Sequence, residues 1–254
     1  MSKVVLELMK ISCSLEKGVD IFTDVNLSVN EGDVLVLQGR SGSGKSTLLK
    51  CIANLAAHSG DIVFHGKTPQ ECRGRVPGYR TRVMYVPQRP SLLPDTPSDF
   101  LSAVSRLQSR QASAQEKGEN RTEHILKRAV SVGRAWGIPP ELWTRDWMKL
   151  SGGEGQRILI AAALSLNTAE VLLLDEPTSA LDAETSLQVE DFILDKIQSA
   201  EESLKAVIWI THSAEQSKRV GTRFLNLSAG SCFETDDYNP PLSAFPTTVK
   251  GKGM

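Results

Sequence analysis

The sequence predicts an α/β fold with a mostly parallel sheet at its centre. Four short runs of β-branched and leucine residues lack polar alternation, which is typical of strands buried on both faces of a sheet. Segments that favour helix lie between these runs, as in successive βαβ units. The strand-like runs are Val34–Leu37, Val83–Val86, Val171–Leu174 and Ala206–Ile210, and the helical segments are Lys45–Ala57, Gly155–Leu166 and Thr185–Gln198.

The N-terminal part of the chain predicts an antiparallel β-subdomain that flanks this core. Its strand-like pieces are short, and turn residues such as those of Glu16–Gly18 and Asn30–Gly32 separate them. Short strands joined by tight turns pair more readily with each other than with a parallel sheet. The three pieces are Val4–Ser12, Val25–Val29 and Asp61–His65.

A small, separate helical subdomain is predicted from about residue 89 to residue 150. Within it, residues 109–122 contain almost no apolar side chain, so we expect a disordered loop there. The length favours one domain over residues 1–234, followed by an irregular tail over 235–254. The candidate core residues of the helical subdomain are Trp136, Leu142, Trp143 and Trp147.

The composition argues against a nucleic-acid partner. Lys and Arg total 29 against 30 Asp and Glu, whereas binding to a phosphate backbone usually needs a strongly basic surface. The four cysteines lack the spacing of a metal site, which favours reduced thiols in a cytosolic compartment. No signal peptide and no run of about 18 apolar residues is visible, so a partner is expected to do the spanning if the protein works at a membrane.

A glycine-rich segment, Gly39–Ser46, matches the P-loop pattern GxxxxGK followed by Ser or Thr. It follows a predicted strand and precedes a predicted helix, and this context disfavours the alternative of a purely structural turn. Its N–H groups and the helix N-terminus can hold phosphate oxygens, while Lys45 reaches the β- and γ-phosphates and Ser46 ligates Mg2+. The predicted nucleotide-binding residues here are Gly39, Arg40, Ser41, Gly42, Ser43, Gly44, Lys45, Ser46 and Thr47.

Two carboxylates, Asp175 and Glu176, follow the apolar run Val171–Leu174. Carboxylates at the end of such a strand project into the ligand crevice of an open α/β sheet. We expect Asp175 to hold the Mg2+ shell and Glu176 to act as general base on the attacking water. Without the P-loop, a helix N-cap would be the more common role for such a pair.

The segment Leu150–Arg157, LSGGEGQR, places a serine and two glycines at the start of an alanine-rich helix. Taken alone, it predicts an N-cap with a tight turn as readily as a functional site. It resembles the signature sequence of ABC (ATP-binding cassette) ATPases, most often LSGGQ, with Glu154 in place of Gln. The predicted P-loop NTPase core with its two subdomains is therefore similar to an ABC ATPase domain.

Three further segments resemble ABC motifs and occur in the order of that family. Val86–Gln88 is similar to the Q-loop, Ser179–Asp182 to the D-loop, and Ile210–His212 to the switch-histidine segment. The resemblance implies catalytic roles for Glu176, Gln88 and His212, and a metal site formed by Ser46, Gln88 and Asp175. It also implies that Ser151, Gly152, Gly153 and Asp182 contribute to ATP binding.

The resemblance further implies a head-to-tail homodimer that encloses two ATP molecules between signature and P-loop. A single ABC module without membrane spans indicates the ATPase subunit of a split transporter, attached to a separately encoded transmembrane protein at the cytoplasmic face of a membrane. Small metal (iron) exporter-type subunits are the most similar group. A soluble ATPase of iron-sulfur cluster assembly and a regulatory ABC protein are the alternatives, while the lack of long heptad repeats disfavours DNA-repair relatives.

Leu15 stands where ABC ATPases usually have an aromatic residue that stacks on adenine, and Phe22 nearby occupies a predicted core position, so we expect relaxed base selectivity.

Leu92, Leu93 and Phe100 are candidates for an exposed apolar patch that receives the membrane partner. The alternative is that these three side chains fill the core of the helical subdomain.

Overall fold

The computed structural model describes residues 3–15, 18–89, 95–106, 120–199 and 201–235, which form two sheets and seven α-helices. The strands are β1 (Val4–Ser14), β2 (Asp20–Asn30), β3 (Val34–Gln38), β4 (Ser59–Phe64), β5 (Val83–Val86), β6 (Val171–Asp175), β7 (Ala206–Ile210), β8 (Arg223–Ser228) and β9 (Ser231–Thr235). The helices are α1 (Lys45–Ile52), α2 (Arg75–Arg82), α3 (Pro97–Ser105), α4 (Asn120–Ala135), α5 (Gly152–Ser165), α6 (Ala183–Gln198) and α7 (Ala214–Val220). Two 3-10 helices, Pro140–Thr144 and Trp147–Lys149, lie between α4 and α5.

The central sheet has six strands in the order β5-β6-β7-β3-β8-β9. Every neighbouring pair is parallel except β8 with β9, so the predicted mostly parallel α/β sheet is confirmed. Strands β3, β6 and β7 are buried at every residue, because helices cover one face and the second sheet covers the other. Side chains alternate between the two faces, as Leu173 and Leu172 of β6 show by joining different core clusters.

The second sheet is antiparallel, with the order β2-β1-β4, as the N-terminal sequence predicted. It packs over α1 and one face of the central sheet, and a single apolar cluster that includes Leu6, Phe22, Leu49 and Leu173 fills the space between them. This arrangement fixes α1, and therefore the P-loop before it, between two sheets.

The helical region contains the predicted tryptophans, and Trp136, Trp143 and Trp147 are all buried. Their cluster is continuous with α5 and with Leu172 of the central sheet, so the helical region packs directly against the main core. Helix α4 already begins at Asn120, inside the range 109–122 predicted to be a disordered loop. Residues 109–119, and the predicted tail after Thr235, lie outside the described residues.

Among the described residues, no helix combines the length and the hydropathy that crossing a bilayer would require.

Candidate functional site

The functional candidates gather at one edge of the central sheet. Strands β5, β6, β7 and β3 are adjacent and parallel, so their carboxyl ends meet at the same edge. The P-loop follows β3 and Gln88 lies two residues after β5. Glu176 directly follows β6, and His212 lies two residues after β7. The topology thus brings together residues that are far apart in the sequence.

The P-loop backbone requires glycine at its tightest points. Gly39 has a φ of 147°, and a Cβ there would lie 2.4 Å from the carbonyl oxygen of Leu227. Gly44 has a φ of 99° and is the N-cap of α1, which has no side-chain cap and no acidic residue in its first turn. The hydroxyl of Ser43 is buried without a hydrogen-bond partner. A helix N-terminus with free N–H groups beside an unpaired buried hydroxyl fits an anion such as a phosphate group.

Lys45 lies within the curl of this loop and is only 6% exposed. Its Nζ donates hydrogen bonds to the carbonyl oxygens of Gly39 at 2.9 Å and Arg40 at 2.8 Å. Burial lowers the pKa of Lys45, while the nearby carboxylates of Glu176 and Asp175 oppose that effect. The ammonium group is therefore held at the loop by acceptors that phosphate oxygens could replace.

Asp175 accepts two hydrogen bonds at the end of β6. The hydroxyl of Ser46 donates to Oδ1 at 3.1 Å, and the phenol of Tyr85 donates to Oδ2 at 2.8 Å. Burial and the hydrogen bond to Asp175 raise the pKa of Tyr85. The carboxylate and the serine hydroxyl supply the hard oxygen ligands that Mg2+ prefers. Tyr85 was missed by the sequence analysis, because the run Val83–Val86 indicated only a buried strand.

Glu176 is the centre of a second group of polar side chains. Its Oε1 lies 3.0 Å from His212 Nε2, and its Oε2 accepts a hydrogen bond of 2.8 Å from Gln88 Nε2. The φ of Glu176 is 48°, a left-handed conformation that is unusual for a non-glycine residue and often occurs at functional sites. Glu176 is thus in direct contact with the other two residues predicted to be catalytic.

The signature segment forms the start of α5. Ser151 is the N-cap, its Oγ accepts from the N–H of Glu154 at 3.3 Å, and Glu154 Oε2 accepts from the N–H of Ser151 at 2.7 Å. This capping box also lowers the pKa of Glu154 through the backbone hydrogen bond from Ser151. The N-cap interpretation and the signature interpretation therefore apply to the same residues.

The signature glycines adjoin the D-loop. A Cβ on Gly153 would lie 2.9 Å from the carbonyl oxygen of Ala180, and one on Gly152 would lie 3.7 Å from the Cβ of that residue. Asp182 is the N-cap of α6, where it accepts hydrogen bonds from the N–H and the hydroxyl of Thr185. Those backbone and hydroxyl hydrogen bonds lower the pKa of Asp182. Signature and D-loop thus form one surface of the chain, next to the group around Glu176.

The predicted base-stacking position lies at the tip of the β1–β2 hairpin. Leu15 is 58% exposed, and its N–H donates to the carbonyl oxygen of Val19, which is equally exposed. Phe22 is completely buried, so the core position predicted for it is confirmed. The hairpin therefore offers aliphatic surface at its tip and no exposed aromatic ring from Phe22.

The predicted apolar patch is represented in the described residues by Phe100 alone, since Leu92 and Leu93 lie outside them. Phe100 is partly buried and packs edge-on against Trp147, with 6.1 Å between the ring centroids. For Phe100 the expectation of an exposed side chain is therefore wrong, because an aromatic ring from the neighbouring 3-10 helix covers it. Met148, next to Trp147, is exposed instead.

Known proteins resemble the chain over most of its length. A family model described as ABC transporter matches residues 22–179. YjkB of Bacillus subtilis, which carries the name of an ABC transporter ATP-binding protein, is 34% identical over 226 residues, 89% of this chain and 82% of the relative. The phosphate import ATP-binding protein PstB of Pseudoalteromonas translucida is 31% identical and covers 90% of this chain and 80% of its own length.

FetA of Escherichia coli, which carries the name of an iron export ATP-binding protein, is 33% identical over 199 residues, 77% of this chain and 80% of its own. Among solved structures, the dimeric post-hydrolysis state of the ATP-binding cassette MJ0796, bound to ADP and Pi, matches with a TM-score of 0.73 and 26% identity. That match covers 91% of this chain and 97% of the other. The relatives and the solved structure thus all match this chain as ATP-binding proteins of the ABC type.

Proposed function

The chain belongs to the ABC transporter family, and from this premise we propose that it hydrolyses Mg-ATP with Glu176 as the general base and drives transport through a membrane protein. The observation that carries the proposal is the contact of Glu176 with Gln88 and His212 beside the P-loop. A carboxylate held at this edge of the sheet can accept a proton from a water molecule that attacks the γ-phosphate.

The phosphate groups of ATP would lie in the P-loop. Support comes from the uncapped N-terminus of α1, the unpaired hydroxyl of Ser43 and the buried ammonium group of Lys45. The exposed loop residues Arg40, Ser41 and Gly42 and the partly buried Thr47 complete the cradle. In this role Lys45 would exchange its two carbonyl partners for phosphate oxygens.

The metal site proposed for this domain consists of Ser46 and Asp175, with Gln88 as a further ligand. The hydroxyl and the carboxylate are 3.1 Å apart and fit Mg2+ by their chemistry. Bound Mg2+ would neutralise part of the phosphate charge. Tyr85 donates to the other oxygen of Asp175, so its role would be to fix the orientation of this carboxylate.

His212 and Gln88 would hold the base. Each contacts a different oxygen of Glu176, so together they restrict the rotation of the carboxylate. A positioned base contributes typically 10²- to 10⁴-fold to a rate, and misplacement by about 1 Å can remove a large part of this. We therefore expect these two residues to affect turnover more than ATP affinity.

The transport system would contain two copies of this chain, arranged head to tail. Support comes from the dimeric state of the ATP-binding cassette MJ0796 and from the exposure of Ser151, Gly152 and Asp182 at one surface. In the dimer these residues would face the ATP that the P-loop of the other copy holds. The proposed location is the cytoplasmic face of a membrane, where a separately encoded protein does the spanning.

The cargo is proposed to be a metal ion, as for small iron exporters, on the basis of the similarity to FetA. The similarity to PstB supports phosphate import as a second candidate. Affinity purification from detergent-solubilised membranes should recover a multi-span protein, and transport of radiolabelled iron or phosphate by the reconstituted pair then separates the two candidates. Recovery of only iron-sulfur assembly factors would refute the transport role.

The assignment of the base is tested with Glu176→Gln. This change removes the proton acceptor but keeps the P-loop, so we expect a dimer that forms in Mg-ATP on size-exclusion chromatography and has a turnover lowered by about 10² or more. An exposed carboxylate on the 3-10 helix Pro140–Thr144, away from the P-loop edge, changed as Glu141→Gln, is the control. ATPase activity of Glu176→Gln at the wild-type rate would show that another group is the base.

A further inference from the structure

Gln156 is a buried amide on α5, five residues after the signature serine, and is 2% exposed. Its Nε2 donates to the carbonyl oxygen of Gln88 at 3.0 Å and to that of Glu176 at 2.8 Å. Its Oε1 accepts from the N–H of Ala180 at 3.1 Å. Both donor hydrogens and the acceptor are therefore used, and a flipped amide would place its oxygen against two carbonyl oxygens.

The three backbone partners of Gln156 lie in two loops at the catalytic edge. Gln88 follows β5, whereas Glu176 and Ala180 stand at the beginning and in the D-loop part of the segment that joins β6 to α6. The first two residues also meet through their side chains, since Gln88 Nε2 donates to Glu176 Oε2 at 2.8 Å. A single amide thus fixes the backbone positions from which the base and its neighbour extend.

The helix that carries Gln156 also carries the signature sequence. Its first turn lies against the D-loop at Gly153, where a Cβ would come within 2.9 Å of the carbonyl oxygen of Ala180. Any shift of α5 relative to the D-loop therefore acts on the hydrogen bonds of Gln156. In the dimer of the proposed function, the same helix would face the ATP bound to the other copy.

We propose that Gln156 is a positioning residue that couples the two ATP sites of the dimer, by holding the base loop of one site in register with the signature helix of the other. This inference rests on the proposed function. When the signature end of α5 meets ATP on the partner, α5 is drawn towards the interface, and Gln156 sets the backbone of Glu176 and Gln88 accordingly. Hydrolysis at one site then depends on the occupancy of the other.

A purely structural role is the alternative, because a buried amide with all its hydrogen bonds satisfied also stabilises a core. The two roles differ in what they change. Loss of stability alone would leave the cooperativity of ATP hydrolysis as it is in the molecules that stay folded. A coupling role predicts that cooperativity falls while each chain still binds ATP.

The test compares Gln156→Met with wild type, since methionine has a similar length and cannot form the three hydrogen bonds. ATPase rates against ATP concentration give kcat, KM and the Hill coefficient, and calorimetry with Mg-ATP gives the affinity of the isolated chain. We expect kcat to fall by about tenfold or more and the Hill coefficient to fall from about 2 towards 1. We expect ATP affinity to stay within about twofold, because Gln156 lies outside the P-loop.

Ser165→Ala is the matched control. Ser165 is a buried polar residue near the other end of α5, and its hydroxyl donates only to the carbonyl oxygen of Ala161 in the same helix. This variant should keep the wild-type kcat and Hill coefficient. If Gln156→Met fails to fold, Gln156→Asn takes its place, since it keeps a neutral amide at the buried position but is one methylene too short to reach all three partners.

The possible outcomes separate the inference from the proposed function. A wild-type Hill coefficient in a folded Gln156 variant would overturn the coupling role, whatever the change in melting temperature. A wild-type chain that forms no ATP-dependent dimer and hydrolyses no ATP would overturn the proposed function and the coupling role together. Reduced cooperativity with retained ATP affinity, absent from Ser165→Ala, supports the coupling role.

Discussion

Helices α1 and α5 both begin at the candidate site, and their N-termini differ in how their free N–H groups are satisfied. Helix α1 starts at Gly44 without a side-chain cap and without an acidic residue in its first turn. Helix α5 starts at Ser151 with a complete capping box and a negative charge at Glu154. The free N–H groups in the first turn of a helix attract anions. A side-chain cap from the same chain already accepts hydrogen bonds from some of these N–H groups.

The difference indicates separate tasks for the two ends. The open end of α1 can take a phosphate group within a single chain, because nothing in its first turn must be displaced. The capped end of α5 is already satisfied within its own chain, so a phosphate must compete with Glu154 for it. We infer that α1 provides ATP affinity, whereas α5 responds only when a second chain presents ATP at the interface.

The largest effect is expected from Lys45→Ala, which disables the α1 end. Loss of a charge-assisted contact to phosphate costs about 1.5–3 kcal/mol, which corresponds to a loss of affinity of roughly tenfold to a hundredfold. Calorimetric titration of the isolated chain with Mg-ATP measures it. Lys50→Ala, at an exposed position in the last turn of the same helix, is the control and should bind normally. An unchanged dissociation constant for Lys45→Ala would contradict the P-loop assignment.

The next effect is expected from Ser151→Ala, which removes the α5 cap. The free energy of unfolding should fall by about 1 kcal/mol, as for other N-cap serines, and urea denaturation measures this. ATP affinity of the isolated chain should stay within about twofold, while ATP-driven dimer formation in the Glu176→Gln background is lost. If Ser151→Ala weakened ATP binding by an isolated chain as much as Lys45→Ala does, the two helix ends would not have separate tasks.

A smaller effect is expected from Glu154→Gln, which keeps the capping box and removes its charge. A glutamine carbonyl can accept the same hydrogen bond from the N–H of Ser151. Removal of a negative charge next to the phosphate of the partner should strengthen ATP-driven dimerisation by about 0.3–1 kcal/mol, or roughly two- to fivefold. Analytical ultracentrifugation of the Glu176→Gln chain, with and without Glu154→Gln, measures the strength of dimerisation. Weaker dimerisation would contradict the expected repulsion between Glu154 and the phosphate of the partner.

The charge of Glu154 also gives the α5 cap a pH dependence. The backbone hydrogen bond from Ser151 lowers the pKa of Glu154 below its usual value of about 4.3. The contribution of this carboxylate to stability is therefore complete above that value and is lost as the pH falls through the lowered pKa. The stability difference between wild type and Glu154→Gln should shrink between pH 5 and pH 3 (about the window that these values define). A difference that does not change over this range would mean that the cap does not depend on the charge.

The sequence predicted the strands whose hydrophobic residues form one continuous run. The observed β5 and β7 have the predicted bounds, because each strand is a short hydrophobic run whose neighbours interrupt the pattern: Arg82 and Pro87 flank β5, and Lys205 and Thr211 flank β7. Helix α2 was not predicted, since Pro77 and Gly78 in its first turns disfavour helix. Tertiary contact overrides that preference: Tyr79 is completely buried, and its hydroxyl donates to the carbonyl oxygen of Ile52 at 2.5 Å.

At the site, motif spacing predicted the groups that do chemistry but not those that hold them in place. Glu176, Gln88 and His212 were predicted from the order of the motifs, and the sheet topology brings them into contact. Tyr85 and Gln156 were missed, because a tyrosine in a buried strand and a glutamine in an apolar helix have no distinctive local pattern. Their partners are 90 and 20 residues away in the sequence, so only the folded chain identifies them.

The smallest effect is expected for recognition of the adenine ring of ATP. In the proposed arrangement the adenine contacts only the chain whose P-loop holds the phosphates, so this effect concerns the α1 end and not the α5 end. Leu15 and Val19 present aliphatic surface at the tip of the β1–β2 hairpin, and contact of this kind lacks the preferred geometry of ring stacking. GTP should therefore compete with ATP more effectively than in relatives that have an aromatic residue there. Leu15→Tyr should strengthen ATP binding by the isolated chain by about 0.5–1.5 kcal/mol, or roughly two- to tenfold.

Competition by GTP for bound ATP, measured by fluorescence with a labelled analogue, gives the selectivity of wild type and Leu15→Tyr. Leu55→Tyr places the same ring at an exposed position beyond the far end of α1 and should leave binding unchanged. Because the signature helix does not contribute to the base site in this interpretation, Ser151→Ala should show the selectivity of wild type. Strong preference for ATP in the wild-type chain would indicate that a residue other than Leu15 recognises the base. A selectivity change in Ser151→Ala would show that the α5 end contributes to binding before the dimer forms.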